Sequence, residues 1–204
     1  MGQSACILPD HNPIRLAEDL ATADNLVDGR LDVGIARGTN SSTSIQFHPS
    51  ADRRDSATNY RLFDETLEIM KKCWTEQAFK HEGEFYTYPV PGWSETDQRI
   101  YEKDPEHYGP EGELIALGVT PKPYQKPYPP IWQAADSNSS YEYAARKGRT
   151  VLTKTQHEMC LAMADQLKND ELAQALLTAV LTAVGPDTLR QVDGIKHVLG
   201  ADGL

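Results

Sequence analysis

The sequence predicts an α/β fold in which parallel strands alternate with helices. Residues 4–36 follow a strand–helix–strand order, and a second strand runs into a helix and a further strand at residues 131–153. Parallel neighbours need a crossover connection of about a dozen residues or more, usually a helix, and both stretches supply one. The pattern is organised around Gly29–Thr39, which combines a turn, an alternating strand and a cationic strand end.

Hydrophobic periodicity places the elements of the first unit. A short apolar run predicts a strand at 4–8, which a loop follows. Apolar residues at three- and four-residue spacing predict a helix over 13–28, with Asn12 or Asp10 near its cap. Alternation of apolar with small or polar residues predicts the strand at 31–36.

The middle of the chain combines one long helix with three irregular stretches. Residues 39–56 are polar and form a loop long enough to be functional. An amphipathic helix is predicted from about Ser56 to Cys73, and the residues of its apolar face, including Met70 and Trp74, are interpreted as core. A hairpin is predicted over 79–90, with Glu82-Gly83 at its turn. The acidic stretch 94–122 is interrupted by proline and glycine, and a lid and a solvated excursion are equally compatible with it.

The last part of the chain supplies the remaining strands. Strands are predicted at 131–135 and 150–153, with possible ones near 178–184 and at 201–204, so the chain holds about five or six. A turn rich in serine opens the helix after the first of these strands.

Composition excludes several classes of function. The 30 acidic and 20 basic residues give a formal net charge of -10, which disfavours a nucleic-acid or anionic-membrane surface. The three cysteines are widely spaced, which supports neither a disulfide framework nor a metal site. No apolar run or signal pattern points to a membrane or to export, so a cytoplasmic protein is expected.

Three motifs in order resemble the flavin-dependent monooxygenases of the bacterial-luciferase-like family. They are NPIRLAEDLATADNLVDGRLDVGIARG (12–38), YRLFDETLEIMKKCWTEQAFKHEGEFY (60–86) and TPKPYQKPYPPIWQAADSNSSYEYAARKG (120–148). The resemblance implies a TIM-type (β/α)8 barrel that binds reduced FMN supplied by a separate reductase. It also implies that the flavin reacts with O2 to a flavin hydroperoxide, which oxygenates a small organic substrate.

The resemblance assigns a phosphate site to two arginines and a turn. Arg37 matches the strand-end arginine of the family, and Arg61 matches a second one, although a surface arginine explains Arg61 nearly as well. Asp136, Ser137 and Ser140 match a turn whose amides and hydroxyls hold the phosphate. Simple helix capping by Asp136 or Ser137 is the alternative.

Two further positions are assigned near the flavin ring. Ser4 and Ala5 match a place where relatives often carry a non-prolyl cis peptide bond. His11 follows the same strand at the ligand-facing end and is a candidate for contact with substrate or flavin.

The chain departs from this family in length. A closed barrel typically needs about 250 residues, so residues 1–204 are expected to form a single, incomplete barrel domain. The first two βα units and part of the region after Lys154 are expected to be missing. Exposed strand edges then favour a homo- or hetero-oligomer, and a fragment, a degenerate paralogue or one half of a complementing pair are all compatible with the sequence.

Two other functions therefore stay open beside the monooxygenase. One is a flavin-binding or subunit-interaction protein without turnover. The other is a deazaflavin-dependent oxidoreductase, since that group shares the fold. The substrate is not identified by the sequence, because Trp93, Tyr108 and Trp132 fit ordinary packing as well as an apolar pocket.

Overall fold

A computed structural model of the chain describes the backbone of residues 2–152 and the side chains from residue 5 onward. The predicted strands near 178–184 and at 201–204 lie outside these residues. The elements are β1 (Gly2–Ile7), α1 (Pro13–Leu26), β2 (Asp32–Ala36), α2 (Ser41–Ser44), α3 (Ser56–Thr75), β3 (His81–Glu82), β4 (Thr87–Tyr88), α4 (Gln98–Tyr101), β5 (Ile131–Ala134), α5 (Asn138–Arg146) and β6 (Thr150–Leu152).

The predicted α/β order is present, and the main sheet has the strand order β1-β2-β5-β6. The chain divides into two compact units, and the division passes through β2. The first unit holds the chain up to Val33 and Arg37–Pro130, while the second holds Gly34–Ala36 and the chain from Ile131 onward. In the second unit β5 and β6 are parallel, with Gln133 paired to Val151.

Helix α1 begins where the sequence predicts and ends two residues early. Asn12 is the cap, and its side-chain oxygen accepts hydrogen bonds from the amides of Ile14 and Arg15, each at 3.1 Å. The helix was predicted to reach residue 28. Asp28 and Gly29 instead adopt left-handed backbone conformations, with φ of 52° and 72°, which an α-helix cannot include.

Helix α3 is the long amphipathic helix that the sequence predicts, and it packs against α1. Met70 and Trp74 are buried, as the core interpretation predicts. The indole Nε1 of Trp74 donates a hydrogen bond of 2.9 Å to the carbonyl of Ala17. The side chain of Asp55 caps α3 by accepting from the amide of Thr58 at 3.1 Å.

The predicted hairpin over 79–90 is present, but its turn is longer than predicted. Strands β3 and β4 are antiparallel, with Glu82 paired to Thr87, so Glu82 lies in a strand and the turn covers residues 83–86. The carboxylate of Glu65, on α3, accepts hydrogen bonds from the amides of Glu84, Phe85 and Tyr86 at 2.8–3.1 Å. A side chain from another element therefore holds this turn.

The stretch predicted as a lid or a solvated excursion is folded. Isolated antiparallel bridges join Phe79 to Leu117, Ser94 to Glu113 and Tyr108 to Leu114. Residues 93–120, called the 93–120 lobe below, thus form an ordered part of the first unit that begins beyond the end of α3. A role as a lid stays a prediction.

Among the helices of residues 2–152, none combines the length and the apolar character needed to cross a membrane.

The two cysteines of the first unit should be inert in the folded protein. Both Cys6 and Cys73 are buried, and burial raises the pKa of Cys6 and raises the pKa of Cys73 to about 12. Because the thiolate is the nucleophile, a Cys160→Ser variant should react with dithiodipyridine at neutral pH only after unfolding in urea. Stoichiometric reaction of the native variant, measured by absorbance, would contradict this burial.

Candidate functional site

Arg37 lies at the end of β2 and is fixed against the first turns of α3. Its guanidinium carbon is 3.3 Å from the centroid of the Tyr60 ring, a cation–π contact. Its Nη1 donates to Ser56 Oγ at 3.3 Å and to Asn59 Oδ1 at 3.4 Å. Asn59 is itself buried and donates to the carbonyl of Ala51 at 3.0 Å. The position of the guanidinium is thus set by three residues of one helix.

Gly38 permits the chain to leave the strand beside Arg37. Its φ is 87°, in the left-handed region that favours glycine. A Cβ at this position would lie 3.0 Å from Cγ2 of Ile7 and 3.1 Å from Oγ of Ser44. The close approach of these two groups gives a second reason for glycine here.

Arg61 has the surface arrangement that the sequence left open as an alternative. It forms a bidentate ion pair with Glu84, with Nε–Oε2 at 2.8 Å and Nη2–Oε1 at 3.0 Å, and donates to Thr58 Oγ1 at 3.1 Å. The hydrogen bond from Arg61 lowers the pKa of Glu84. Arg61 therefore already binds a carboxylate, and its contact with a phosphate stays a prediction.

The serine-rich turn of the second unit is a helix cap. Ser137, rather than Asp136, is the cap of α5, and it forms a capping box with Ser140. The Oγ of Ser140 accepts from the amides of Asp136 and Ser137 at 3.2 Å and 3.0 Å and donates to the carbonyl of Ser137 at 2.8 Å. The capping alternative is thus the arrangement present. A phosphate at Ser140 would have to replace hydrogen bonds that already exist.

Ala5 and His11 belong to the first unit, on and after β1. Ala5 is half-buried within the strand, and His11 is exposed with its backbone N–H donating to the carbonyl of Leu8 at 3.1 Å. In the described backbone, cis peptide bonds precede Pro89, Pro121 and Pro127, and the cis bond expected between Ser4 and Ala5 is not among them.

An aromatic cluster that the sequence did not indicate joins three segments of the first unit. It consists of His48, Phe85, Tyr86 and Tyr88. The ring of His48 lies 5.8 Å from Phe85 and 5.7 Å from Tyr86, and Tyr86 stacks on Tyr88 at 5.9 Å. Asn12, the cap of α1, donates to the hydroxyl of Tyr88 at 3.3 Å. The cluster thereby connects the loop after β2 with the hairpin and with the start of α1.

The imidazole of His48 is held in one tautomer. Its Nδ1 accepts a hydrogen bond from the amide of Ser50 at 3.1 Å, so Nε2 carries the proton of the neutral ring. Burial lowers the pKa of His48 and raises the pKa values of Tyr86 and Tyr88. Both effects favour the neutral forms near neutral pH, so the cluster can donate hydrogen bonds without carrying charge.

Two residues next to the predicted site were not identified from the sequence. The three- and four-residue apolar spacing of α3 predicts Tyr60 as a core residue, but Tyr60 is half-buried and its ring contacts the guanidinium of Arg37. Glu65 lies between Asp64 and Thr66 on the same helix, so the sequence gives no sign that its carboxylate is buried and holds the hairpin turn. The structure brings Arg37 and Arg61 to the same end of α3, while Asp136, Ser137 and Ser140 belong to the second unit.

Comparison with known proteins places the chain in a family. Residues 1–169 match the family model described as luciferase-like monooxygenase. The oxygenase component of the flavin-dependent trigonelline monooxygenase of Acinetobacter baylyi is 29% identical over 157 residues, which are 77% of this chain and 35% of that protein. This chain therefore spans about a third of the length of that relative.

Solved structures agree on the fold. The oxygenating constituent of the 3,6-diketocamphane monooxygenase of Pseudomonas putida, solved in complex with FMN, superposes with a TM-score of 0.58 at 19% identity, covering 90% of this chain and 44% of that one. An F420-dependent secondary alcohol dehydrogenase superposes with a TM-score of 0.53 at 16% identity and the same coverage. The predicted fold class, α/β and part of a TIM-type barrel, is confirmed. The chain belongs to the luciferase-like monooxygenase family.

Proposed function

We propose that the protein takes part in a flavin-dependent monooxygenase reaction, in which reduced FMN and O2 oxygenate a small organic substrate. The observation that carries the proposal is the placement of Arg37 at the end of β2, since ligands of α/β barrels bind at the carboxyl ends of the strands. The trigonelline relative is named flavin-dependent, and the diketocamphane neighbour holds FMN.

The residues around Arg37 fit the phosphate of FMN. A guanidinium donates two parallel hydrogen bonds to a phosphate and keeps its charge at any physiological pH. Tyr60, Ser56 and Asn59 hold Arg37 in one orientation, so little side-chain entropy is lost when an anion binds.

At α5 the fit is weaker, because Ser140 is used by the capping box. There the positive end of the helix is the main attraction for an anion. When bound, FMN supplies the redox chemistry, and the protein supplies binding, orientation and the exclusion of water.

The same proposal includes the partners of the reaction. The relative from Acinetobacter baylyi is named an oxygenase component, which supports a separate flavin reductase as the source of reduced FMN. A homo- or hetero-oligomer and a cytoplasmic location stay predictions from the sequence. His11 is the candidate for contact with substrate or flavin, because it is exposed in the segment that connects β1 with α1.

FMN binding to the wild type, Arg37→Ala and Arg61→Ala tests the proposal directly. Arg37→Ala should weaken binding at least tenfold, about 1.4 kcal/mol, because it removes the charge that faces the phosphate. Arg61→Ala tests the second predicted arginine and should change the affinity less than threefold, since a phosphate contact by Arg61 would have to break its ion pair with Glu84. Binding is measured by flavin fluorescence with reduced and oxidised FMN.

Equal losses in both variants would reject Arg37 as the main phosphate contact. Absence of FMN binding by a folded wild type would reject the proposal as a whole.

The same protein samples distinguish this proposal from two alternatives. The F420-dependent neighbour favours a deazaflavin as the second candidate cofactor, and an absorbance titration that gives tighter binding of F420 than of FMN would select it. The other alternative is a flavin-binding or subunit-interaction protein without turnover. Tight FMN binding without substrate oxygenation, when a reductase and NADH are present, would select that alternative.

A further inference from the structure

The first turns of α3 present polar contacts on two opposite sides of the helix. Three residues contact the guanidinium of Arg37, and their spacing of three and four positions puts them on one face. They are Ser56, Asn59 and Tyr60. Successive residues turn by about 100° around a helix axis, so Arg61 and Glu65 lie on the opposite side. These two side chains contact the hairpin turn.

Arg61 therefore leaves α3 on the side away from Arg37. Its bidentate partner is Glu84, whose amide donates to Oε2 of Glu65 at 3.0 Å. These contacts tie Arg61 to the hairpin and not to the end of β2. When one guanidinium carries a phosphate contact, its orientation matters more, because two parallel hydrogen bonds form only if its plane meets the phosphate oxygens.

The ring of Tyr60 fixes the plane of the Arg37 guanidinium. The guanidinium carbon lies over the ring, 3.3 Å from its centroid, so the two groups are in van der Waals contact. A guanidinium strongly tilted at this distance would push one of its nitrogens into the ring, and the two planar groups are therefore nearly parallel. Attraction between the cation and the ring face stabilises this arrangement. The N–H groups of Arg37 consequently point sideways, parallel to the ring.

Ser56 and Asn59 restrict the rotation of the guanidinium within that plane. Nη1 of Arg37 donates to Oγ of Ser56 at 3.3 Å and to Oδ1 of Asn59 at 3.4 Å. Both distances are longer than the roughly 2.7–3.2 Å that is usual for such hydrogen bonds. The contact with the Tyr60 ring is therefore the stronger constraint. Without the ring, two long hydrogen bonds from a single nitrogen would let the guanidinium swing out of the plane.

We propose that Tyr60 is a positioning residue for the phosphate of FMN, because its ring holds the Arg37 guanidinium in the plane in which two N–H groups meet the phosphate oxygens. This role rests on the proposed function, since it concerns how Arg37 contacts FMN. Tyr60 thereby takes the supporting role at the phosphate that the family resemblance assigned to Arg61, the next residue along α3.

Binding of FMN and of riboflavin to the wild type, Tyr60→Leu and Tyr60→Phe tests the proposal. Riboflavin lacks the phosphate and otherwise has the structure of FMN. Tyr60→Leu should weaken FMN binding about three- to tenfold, the effect expected from losing one cation–π contact, and should leave the affinity for riboflavin unchanged. Tyr60→Phe keeps the ring face and should restore the affinity for FMN to within about twofold of the wild type.

A double-mutant cycle with Arg37→Ala gives the same answer without riboflavin. Tyr60→Leu should cause no further loss of FMN affinity in the Arg37→Ala protein, because Tyr60 acts through the guanidinium. Tyr124→Leu is the matched control. Tyr124 is 61% exposed and its ring lies against Gly29, which precedes β2, whereas Arg37 follows β2. This variant should bind both flavins like the wild type.

A loss of riboflavin affinity as large as that of FMN affinity in Tyr60→Leu would overturn the proposal, since Tyr60 would then support the fold alone. Wild-type FMN affinity in Tyr60→Leu, an equal loss in Tyr60→Phe, or a further loss in the Arg37→Ala protein would overturn it as well. These results leave the proposed function intact if FMN binding depends on Arg37, whereas absence of FMN binding by the folded wild type overturns both. Circular dichroism shows whether Tyr60→Leu is folded, and Tyr60→Met replaces it if it is not.

Discussion

Replacing Glu65 with alanine is expected to lower the free energy of unfolding by about 3–5 kcal/mol. The Glu65 carboxylate accepts hydrogen bonds from three amides of the hairpin turn and lies 3.1 Å from Nε2 of His81. The two side chains are only 10% and 5% exposed, so water cannot replace the lost acceptor without opening the turn. Urea denaturation followed by circular dichroism measures the change.

Glu68→Ala is the matched control for this prediction. Glu68 lies on the same helix and its Oε1 is 3.8 Å from Nδ1 of His81, but its side chain is 59% exposed. Its pair with Lys72, at 3.2 Å, is a surface ion pair of the kind worth less than about 1 kcal/mol. A loss in Glu65→Ala no larger than in Glu68→Ala would mean that the turn does not depend on the carboxylate.

Asp24→Ala is expected to destabilise the protein by about 2–3 kcal/mol, because the substitution removes hydrogen bonds to a buried carboxylate. Asp24 is fully buried on α1 and accepts from the amide and the side-chain Nε2 of Gln125, both at 2.8 Å. The same Nε2 donates to the carbonyl of Leu31 at 2.8 Å. The carboxylate thus fixes the segment that leads towards β5, and thermal and urea unfolding measure the loss.

Asp19→Ala serves as the control for Asp24. Asp19 is exposed on the same helix, and its replacement should change stability by less than about 0.5 kcal/mol. If Asp24→Ala unfolds at the same urea concentration as Asp19→Ala, the buried hydrogen bonds contribute nothing net. A stable Asp24→Leu variant alone would not decide this, because an apolar residue of similar volume also gains from burial.

The parts predicted well from the sequence are those that local patterns determine. The periodicity of α3 and the cap of α1 at Asn12 depend on residues near one another in the chain, and both are present. The end of α1 was placed two residues too late, because the apolar pattern includes Val27, which is already the C-cap and is followed by a left-handed residue at Asp28. Hydrophobic periodicity does not predict that a residue other than glycine adopts a left-handed backbone conformation.

The parts that were missed depend on contacts between distant segments. Glu65 and the hairpin amides are about twenty residues apart, and Asp24 and Gln125 are 101 apart. Such pairs follow from the packed fold, so no local spacing predicts them. The same applies to the candidate site. The sequence predicts Arg37 at the end of a strand, but the contact of Tyr60 with Arg37 and the ion pair of Glu84 with Arg61 depend on packing.

The length of α3 also bears on how the chain can diverge. Its first turns hold Arg37, while the 93–120 lobe begins beyond its last turn. Substitutions or insertions in the lobe therefore leave the contacts of Arg37 untouched, and a change at one end need not be compensated at the other. A substitution in the lobe can thus alter the surface at that end of α3 without altering the side chains that hold the strand-end arginine.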